Sequence, residues 1–280
     1  MVQARRVGRC GSRFRAAGEE PDDSSPLPDD REGEGNSFTK LGWYREVLTF
    51  APMSGRGSVF FEVVMKCRVL SMEQDPRWEQ YRLFSGYAFP CAGLTVPVDI
   101  TALYEWMQRE KKPVFLTLLY LVSRAANRVP ELRRRIEGEQ VVEYDDCPTS
   151  FTEMKPDGSY AYCRMGSSQA PYEAYIAQGR SLQQQARQGG TLEVDEADES
   201  SRIFVSCIPW LNYTGIVQPM PVPADSNVRI SWGKIFMRCG LTQVSVSLQV
   251  HHALADGYQM ALFYRYLDEE IAALCPAEQL

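Results

Sequence analysis

Histidine is almost absent from this chain of 280 residues, in which the adjacent residues His251 and His252 are the only two. Imidazole is the side chain whose ordinary pKa lies nearest neutrality, so a reaction that needs a base at pH 7 has few other candidates here. The chain also lacks an apolar run of about 20 residues, the length that a membrane-spanning helix needs. Its formal net charge of -6 disfavours nucleic acid as a partner, because binding along a phosphate backbone needs a basic surface. We therefore expect neither a membrane nor a nucleic acid as a partner.

The eight cysteines lack the paired CxxC spacing that is typical of zinc sites and of redox motifs. We therefore expect free thiols, no metal centre and a reducing cytoplasm as the location. Internal repeats and a Gly-rich phosphate loop are missing as well, which disfavours repeat architectures and nucleotide-phosphate sites.

The first 58 residues differ in composition from the rest. Residues 1–18 carry five arginines and no acidic residue, and residues 19–37 are rich in acids, Pro, Gly and Ser. Such a stretch buries too little apolar surface to offset its ordering entropy, so we predict that residues 1–58 are disordered or weakly structured. An organellar transit peptide is the alternative for the Arg-rich start. We predict a linker at 59–72 and one globular domain at 73–276.

Regular periodicities begin near residue 73, and helical and extended patterns alternate from there. Residues 242–250 place Val and Leu on one face and Ser and Gln on the other, which is the pattern of a half-buried strand. The mixture of patterns favours an α/β sandwich over a helical bundle or a barrel. The other expected elements are a helix capped by Asp99 that ends near Arg109, a helix between Pro113 and Pro130, a turn in 132–136, strands at 140–144 and 202–208, a loop at 193–199 and a long helix that begins at Gly257.

The two histidines lie between the last strand and the last helix, and Asp256 follows His252 by four residues. A strand-to-helix junction fixes a side chain firmly and leaves it accessible to a ligand. Gly257 permits a tight turn into the helix. One interpretation is a base at this junction. The other is a structural pair of histidines that bond to backbone, and the spacing alone does not separate the two.

Residues 251–257, His-His-Ala-Leu-Ala-Asp-Gly, resemble the His-His-Ala-x-x-Asp-Gly signature of the chloramphenicol acetyltransferase family. A looser pattern, His-x-x-x-Asp-Gly, is shared with carnitine, dihydrolipoyl and condensation-domain acyltransferases. The resemblance extends over roughly residues 73–274 and implies a two-layer α/β sandwich in which helices pack on a mixed sheet. The other similar stretches are 206–213 with the family's Ser-x-x-Pro-Trp-x-x-Phe, 231–234 with Thr-x-Gly-Lys, 98–101 with Leu-Asp-Ile-Thr and 127–133 with Asn-x-x-Pro-Glu-Phe-Arg.

The resemblance implies an O-acetyltransferase that uses acetyl-coenzyme A and no metal. It makes His252 the general base, whose Nε2 takes a proton from the acceptor hydroxyl while backbone holds the other ring nitrogen. Ser206 would donate a hydrogen bond to the oxyanion of the tetrahedral intermediate. Asp256 would pair with an arginine near the start of the domain. Arg77 is the candidate for that pairing, and an unpaired surface arginine is the alternative.

The same comparison implies residues that bind the acetyl donor. Ser231 stands where the family has a threonine near the reacting centre, so it keeps the hydroxyl and lacks the methyl group. Trp210 follows the proline of the Ser-x-x-Pro-Trp pattern. Lys234 is a candidate contact for coenzyme A or a solvated lysine, since Ile235 follows it where an aromatic residue is usual.

On the acceptor side, Phe84 and Cys91 fall near an aromatic residue and a cysteine of the family's antibiotic pocket. Residues 214–216, the last of which is Ile216, stand where the family has a Ser-Phe pair, so a large aromatic side chain that lines the family's pocket is missing here. We therefore expect a pocket of altered shape and a small hydroxyl-bearing acceptor, which is chloramphenicol or another alcohol.

The resemblance further implies a homotrimer with active sites at the subunit interfaces and, for chloramphenicol as acceptor, a role in antibiotic resistance. Transfer to dihydrolipoamide is a rival, and the lack of a lipoyl domain ahead of the catalytic region disfavours it. A second rival is a catalytically silent member that binds a ligand. The joint presence of His252, Ser206 and Asp256 disfavours that reading, because a binding module needs no base.

Overall fold

The computed structural model describes residues 44–51, 61–192 and 199–275. Residues 1–43 and 52–58 of the predicted tail and most of the predicted loop at 193–199 lie outside the described residues. The helices are α1 (Trp78–Phe84), α2 (Thr101–Arg109), α3 (Val114–Asn127), α4 (Tyr172–Gly189) and α5 (Gly257–Leu274). The strands are β1 (Tyr44–Ala51), β2 (Phe61–Leu70), β3 (Cys91–Asp99), β4 (Arg134–Glu137), β5 (Gln140–Tyr144), β6 (Thr149–Met154), β7 (Tyr160–Arg164), β8 (Ile203–Cys207), β9 (Arg229–Trp232), β10 (Phe236–Arg238) and β11 (Leu241–His251).

The described strands form two sheets. The smaller runs β1-β2-β5-β4 and is antiparallel throughout. The larger runs β7-β6-β8-β9-β11, and β11 also pairs with β3 and β10. Its β6-β8 and β8-β9 pairs are parallel, and its other pairs are antiparallel. The prediction of a mixed sheet packed by helices is thus confirmed.

Strand β11 shows why the sequence folds in this way. Val244, Val246, Leu248 and Val250 alternate along the strand and are buried in the core. Helix α5 presents its apolar stripe to the same core, and burial of each large apolar side chain stabilises the fold by about 1.5–3 kcal/mol. A charged residue at position 246 would therefore separate the two layers. The buried apolar side chains of α5 are Met260, Phe263, Tyr264, Leu267 and Ile271.

Strand β2 lies in the interval 59–72, which the sequence predicts as a linker. Residues 67–70 pair with β5, and Cys67 is fully buried. The alternation of apolar and polar residues in 61–70 suits a strand, so this interval is part of the smaller sheet. Strand β1 likewise lies inside the predicted weakly structured tail and pairs with β2 over its whole length.

Two element boundaries also differ from the sequence-based expectation. Helix α2 begins at Thr101 after Ile100, and Asp99 still satisfies its first turn because Oδ1 accepts from the Thr101 amide at 2.9 Å. Residues 134–136 form part of β4 where a turn is expected, because they pair with β5. None of the described helices is both long and apolar enough to cross a membrane.

Candidate active site

Residues 251–257, called here the histidine junction, connect β11 to α5. The amide of His252 donates to the Pro90 carbonyl at 2.7 Å, and its ring Nδ1 lies 3.0 Å from the carbonyl oxygen of Ala255. A carbonyl can only accept a hydrogen bond, so Nδ1 carries a hydrogen, and in the neutral ring Nε2 is the nitrogen with the lone pair. This geometry leaves the nitrogen that a general base needs.

The His252 ring is held from a second side by Phe84, the last residue of α1. The two rings stack with centroids 4.0 Å apart and an interplanar angle of 29°. Stacking fixes the plane of the imidazole, while the contact with Ala255 fixes its rotation. The ring therefore has one orientation and one tautomer.

Asp256 caps α5 and joins it to the start of the domain. Its Oδ1 accepts from the Tyr258 amide at 2.9 Å, and its Oδ2 accepts from Arg77 Nη1 at 2.6 Å. Gln259 completes a capping box, because its Oε1 accepts from the Asp256 amide at 3.1 Å. Arg77 is thus paired and is not an isolated surface arginine. The sequence analysis missed Gln259, although Asp-x-x-Gln before an apolar helix is a recognisable capping pattern.

The pKa of Asp256 lies below its ordinary value. Partial burial acts to raise the pKa, and the hydrogen bonds from Arg77 and from the Tyr258 amide outweigh that effect. The carboxylate is therefore ionised at neutral pH and committed to partners other than the imidazole. Its described hydrogen bonds, from Arg77 and from the Tyr258 amide, anchor the start of the helix.

His251 has a different environment from its neighbour. It is only 6% exposed, and burial lowers its pKa, although Asp225 opposes the shift. Its Nδ1 accepts from the Ala253 amide at 3.3 Å, so that lone pair is already in use. The two histidines therefore differ: Nδ1 of His251 is used within the protein, whereas Nε2 of His252 has no hydrogen-bond partner among the described residues.

A row of four hydroxyl side chains crosses the larger sheet, and the surface that carries it is called here the serine face. Ser206 on β8 is in register with Ser231 on β9, Ser231 with Ser247 on β11, and Ser247 with Thr95 on β3. Partners in register point to the same side of a sheet. Thr95 and Ser247 bond to each other at 2.7 Å. The Ser206 hydroxyl has no hydrogen-bond partner within the described part of the chain.

A cavity of about 790 Å³ opens beside Ser206. Trp210, which is 66% exposed, and Lys234 form part of its lining. Apolar side chains dominate the rest, so the cavity suits an extended flexible chain, and the exposed ammonium group suits a phosphate. The apolar lining includes Val114, Phe115, Leu118, Ile208 and Ile235.

A second cavity, of about 310 Å³, lies between β3, β11 and the segment 214–218. Cys91 and Ile216 both line it. Burial raises the pKa of Cys91, and Arg229 opposes that shift, so the side chain is a neutral thiol at pH 7. Gln249 also lines this cavity and presents a buried amide nitrogen that has no partner among the described residues. The cavity is thus small and partly polar.

The two halves of the expected site do not meet within one chain. His252 lines neither cavity. His251 is four residues along β11 from Ser247, which is roughly 13 Å, and Ser206 is two strands away, about 10 Å across the sheet. Serine and imidazole side chains cannot bridge that separation. Across the described residues, no cluster of three or more His, Cys, Asp or Glu side chains is placed to hold a metal ion.

Comparisons with known proteins agree with this architecture. Residues 65–268 match the family described as Chloramphenicol acetyltransferase. A chloramphenicol acetyltransferase of Clostridioides difficile is 26% identical over 200 residues, which cover 69% of this chain and 92% of that protein. A solved chloramphenicol acetyltransferase superposes with a TM-score of 0.67 at 23% identity and covers 73% of this chain and 99% of its own.

A more distant likeness concerns the fold alone. The structure of a probable dihydrolipoamide acetyltransferase from Listeria monocytogenes superposes with a TM-score of 0.53 at 15% identity, and it covers 74% of this chain and 94% of its own. The family match spans more than half of the sequence, and it contains both the histidine junction and the serine face. The chain therefore belongs to the chloramphenicol acetyltransferase family and is an O-acetyltransferase.

Proposed function

We propose that this enzyme transfers the acetyl group of acetyl-coenzyme A to a hydroxyl of a small acceptor, with His252 as the general base. The observation that carries the proposal is the fixed tautomer of His252. With Nδ1 held against the Ala255 carbonyl at 3.0 Å, Nε2 can accept the proton that makes the acceptor oxygen a nucleophile.

The reaction runs through a tetrahedral intermediate. His252 Nε2 removes the acceptor proton as the acceptor oxygen attacks the thioester carbonyl, and the carbonyl oxygen becomes an oxyanion. Ser206, whose hydroxyl has no other partner in the described chain, donates to that oxyanion. Collapse of the intermediate breaks the carbon–sulfur bond, and the leaving sulfur takes the proton from the imidazolium. The products are the acetyl ester and free coenzyme A.

We assign the acetyl donor to the cavity of about 790 Å³. Its apolar lining suits the chain that carries the thioester, and Ser206, which is one of the lining residues, suits the reacting carbonyl. Lys234, which is exposed and also lines the cavity, would contact a phosphate of coenzyme A. We assign the acceptor to the cavity of about 310 Å³ beside Cys91 and Ile216.

The separation of His252 from Ser206 supports active sites that two copies of the chain share. A carbonyl that touches Ser206 of one copy can reach His252 only from a neighbouring copy. A homotrimer with three such interfaces satisfies this requirement with one type of contact. We propose that assembly for the active enzyme.

The first experiment measures release of coenzyme A from acetyl-coenzyme A with a panel of acceptors, and mass spectrometry identifies the product. The panel contains chloramphenicol, simple diols, amino alcohols and dihydrolipoamide. Turnover with a hydroxyl acceptor that His252→Ala abolishes supports the proposal. Binding of acetyl-coenzyme A without turnover across the panel would indicate a ligand-binding protein, and exclusive use of dihydrolipoamide would indicate the rival reaction.

The second experiment tests the shared site by mixing two inactive variants. His252→Ala and Ser206→Ala chains are co-expressed, so that some interfaces combine an intact histidine with an intact serine. Random assembly of equal amounts would restore about a quarter of the wild-type sites. No recovery, with mixed assemblies verified by mass, would contradict the shared site. Each variant expressed alone is the control.

A further inference from the structure

Ser231 lies at the centre of the serine face, and its hydroxyl has one side-chain partner among the described residues. It is fully buried, and its Oγ accepts a hydrogen bond from the phenol of Tyr213 at 3.2 Å. Adjacent strands are about 4.8 Å apart, and Ser231 is the cross-strand partner of Ser206 on β9. Tyr213 therefore contacts the hydroxyl that stands next to the proposed oxyanion donor.

The backbone brings Tyr213 to this position. After β8 the chain turns at Pro209 and lies across the serine face, where the Leu211 carbonyl accepts from the Lys234 amide at 2.8 Å. The Tyr213 ring then packs on Gly233, where a Cβ atom would approach a ring carbon to 3.1 Å and the Leu211 carbonyl to 2.6 Å. Glycine at 233 thus leaves room for the segment after Pro209 and for the ring of Tyr213.

The direction of the hydrogen bond matters for the chemistry. The phenol donates and Ser231 Oγ accepts, so the Ser231 proton is free to point at another acceptor. Accepting this hydrogen bond also polarises the O–H bond of Ser231 and strengthens the hydrogen bond that Ser231 itself donates. Serine changes its χ1 rotamer easily, whereas the methyl group on the Cβ of threonine restricts χ1 and so limits the positions of the hydroxyl oxygen. The side chain of Ser231 has no methyl group to restrict its hydroxyl, and the hydrogen bond from Tyr213 imposes that restriction instead.

We propose that Tyr213 is a positioning residue for acetyl transfer, which acts by orienting the Ser231 hydroxyl as a donor toward the reacting centre beside Ser206. This inference rests on the proposed function. The hydroxyl of Tyr213 is a departure from the Ser-x-x-Pro-Trp-x-x-Phe pattern, just as Ser231 departs from Thr-x-Gly-Lys. The two departures compensate each other: the chain loses a methyl group at one position and gains a phenol at the other.

The test compares wild type with Tyr213→Phe, Ser231→Ala, the Tyr213→Phe/Ser231→Ala double variant and the Tyr213→Phe/Ser231→Thr double variant. The net loss of one hydrogen bond predicts that Tyr213→Phe lowers kcat about fivefold. We expect its KM for acetyl-coenzyme A to stay within about twofold of wild type, because the interactions that bind the ground state and the transition state equally are unchanged. In the Ser231→Ala background, the same substitution should have no further effect. Ser231→Thr should restore most of the kcat, because threonine orients its own hydroxyl.

The matched control is Tyr104→Phe, which removes a phenol that has no hydrogen-bond partner in the described chain. Thermal unfolding of each variant shows whether a change in kcat reflects loss of folded protein. An unchanged kcat in Tyr213→Phe, or an equal loss in the Ser231→Ala background, would overturn the role of Tyr213 and leave the acetyl transfer intact. Wild type that fails to turn over with every acceptor would overturn the proposed function, and this inference with it.

Discussion

The histidine junction and the serine face hold their functional groups in opposite ways. The ring of His252 is fixed by a carbonyl and by the stacked ring of Phe84, while the Ser206 hydroxyl has no partner in the described part of the chain. A base must present one nitrogen in one tautomer before the reaction begins. An oxyanion donor meets a charge that exists only during the reaction, so its hydrogen bond should be unused in the resting protein. The contrast shows where the fold stabilises a side chain and where it leaves one available.

The largest effect expected at the histidine junction is that of His252→Ala. Loss of a general base typically costs about 10²- to 10⁴-fold in rate, and we expect kcat to fall within that range. His251→Asn is the matched control, because an amide oxygen can accept from the Ala253 amide in place of Nδ1. Equal losses of kcat in the two variants would remove the distinction between the histidines.

On the serine face, Ser206→Ala should lower kcat by about 10²- to 10³-fold, the usual cost of one oxyanion donor, with little change in KM. Ser150→Ala is the control. Its hydroxyl lies on the neighbouring strand β6 and also lacks a partner among the described residues. A Ser206→Ala enzyme that keeps wild-type kcat would show that another group stabilises the oxyanion.

Removal of residues 1–71 tests the comparison of the two regions, because the smaller sheet is connected by ion pairs and hydrogen bonds to only one of them, the histidine junction. Glu143 on β5 bonds to Arg134, Arg134 pairs with Asp75, and Asp75 accepts from the Arg77 amide. Loss of β2 removes its pairing with β5 and the apolar surface that it buries, and should lower the free energy of unfolding by about 3 kcal/mol or more. Removal of residues 1–43 is the control, because it retains every described strand. Chemical denaturation of both proteins measures the difference.

The smallest effect concerns Asp256. Asp256→Ala removes both the helix cap and the ion pair, and the cap alone contributes about 1 kcal/mol. Asp256→Asn keeps a capping oxygen and removes only the charge. The folded state lowers the pKa of Asp256, so its contribution is present above the ordinary pKa of 3.8 and is lost as pH falls below that value. As the pH is lowered from 6 to 3, the free energy of unfolding should therefore fall more steeply for wild type than for Asp256→Asn. Parallel curves of this free energy against pH would contradict the prediction.

The sequence predicted those parts of the molecule whose signals are local. Alternation in 242–250 and the apolar stripe after Gly257 follow from burial of one face, and both elements lie where they are expected. The roles of β2 and Tyr213 could not be predicted in the same way. Cys67 pairs with Tyr144 of β5, which lies more than 70 residues later, and Tyr213 meets Ser231 only because glycine at 233 leaves room for the segment after Pro209. Contacts of this kind depend on the tertiary fold.

The distance between His252 and Ser206 has consequences for the activity of mixtures of intact and defective chains and for the activity at low protein concentration. With shared sites, one copy that has lost both groups disables two of the three sites of a trimer, because each neighbour depends on it. A cell that makes equal amounts of intact and defective chains would therefore retain only about a quarter of its active sites, which is less than the half that independent subunits would keep. Dilution would act in the same direction, because a separated chain carries a base and a donor that cannot serve the same carbonyl.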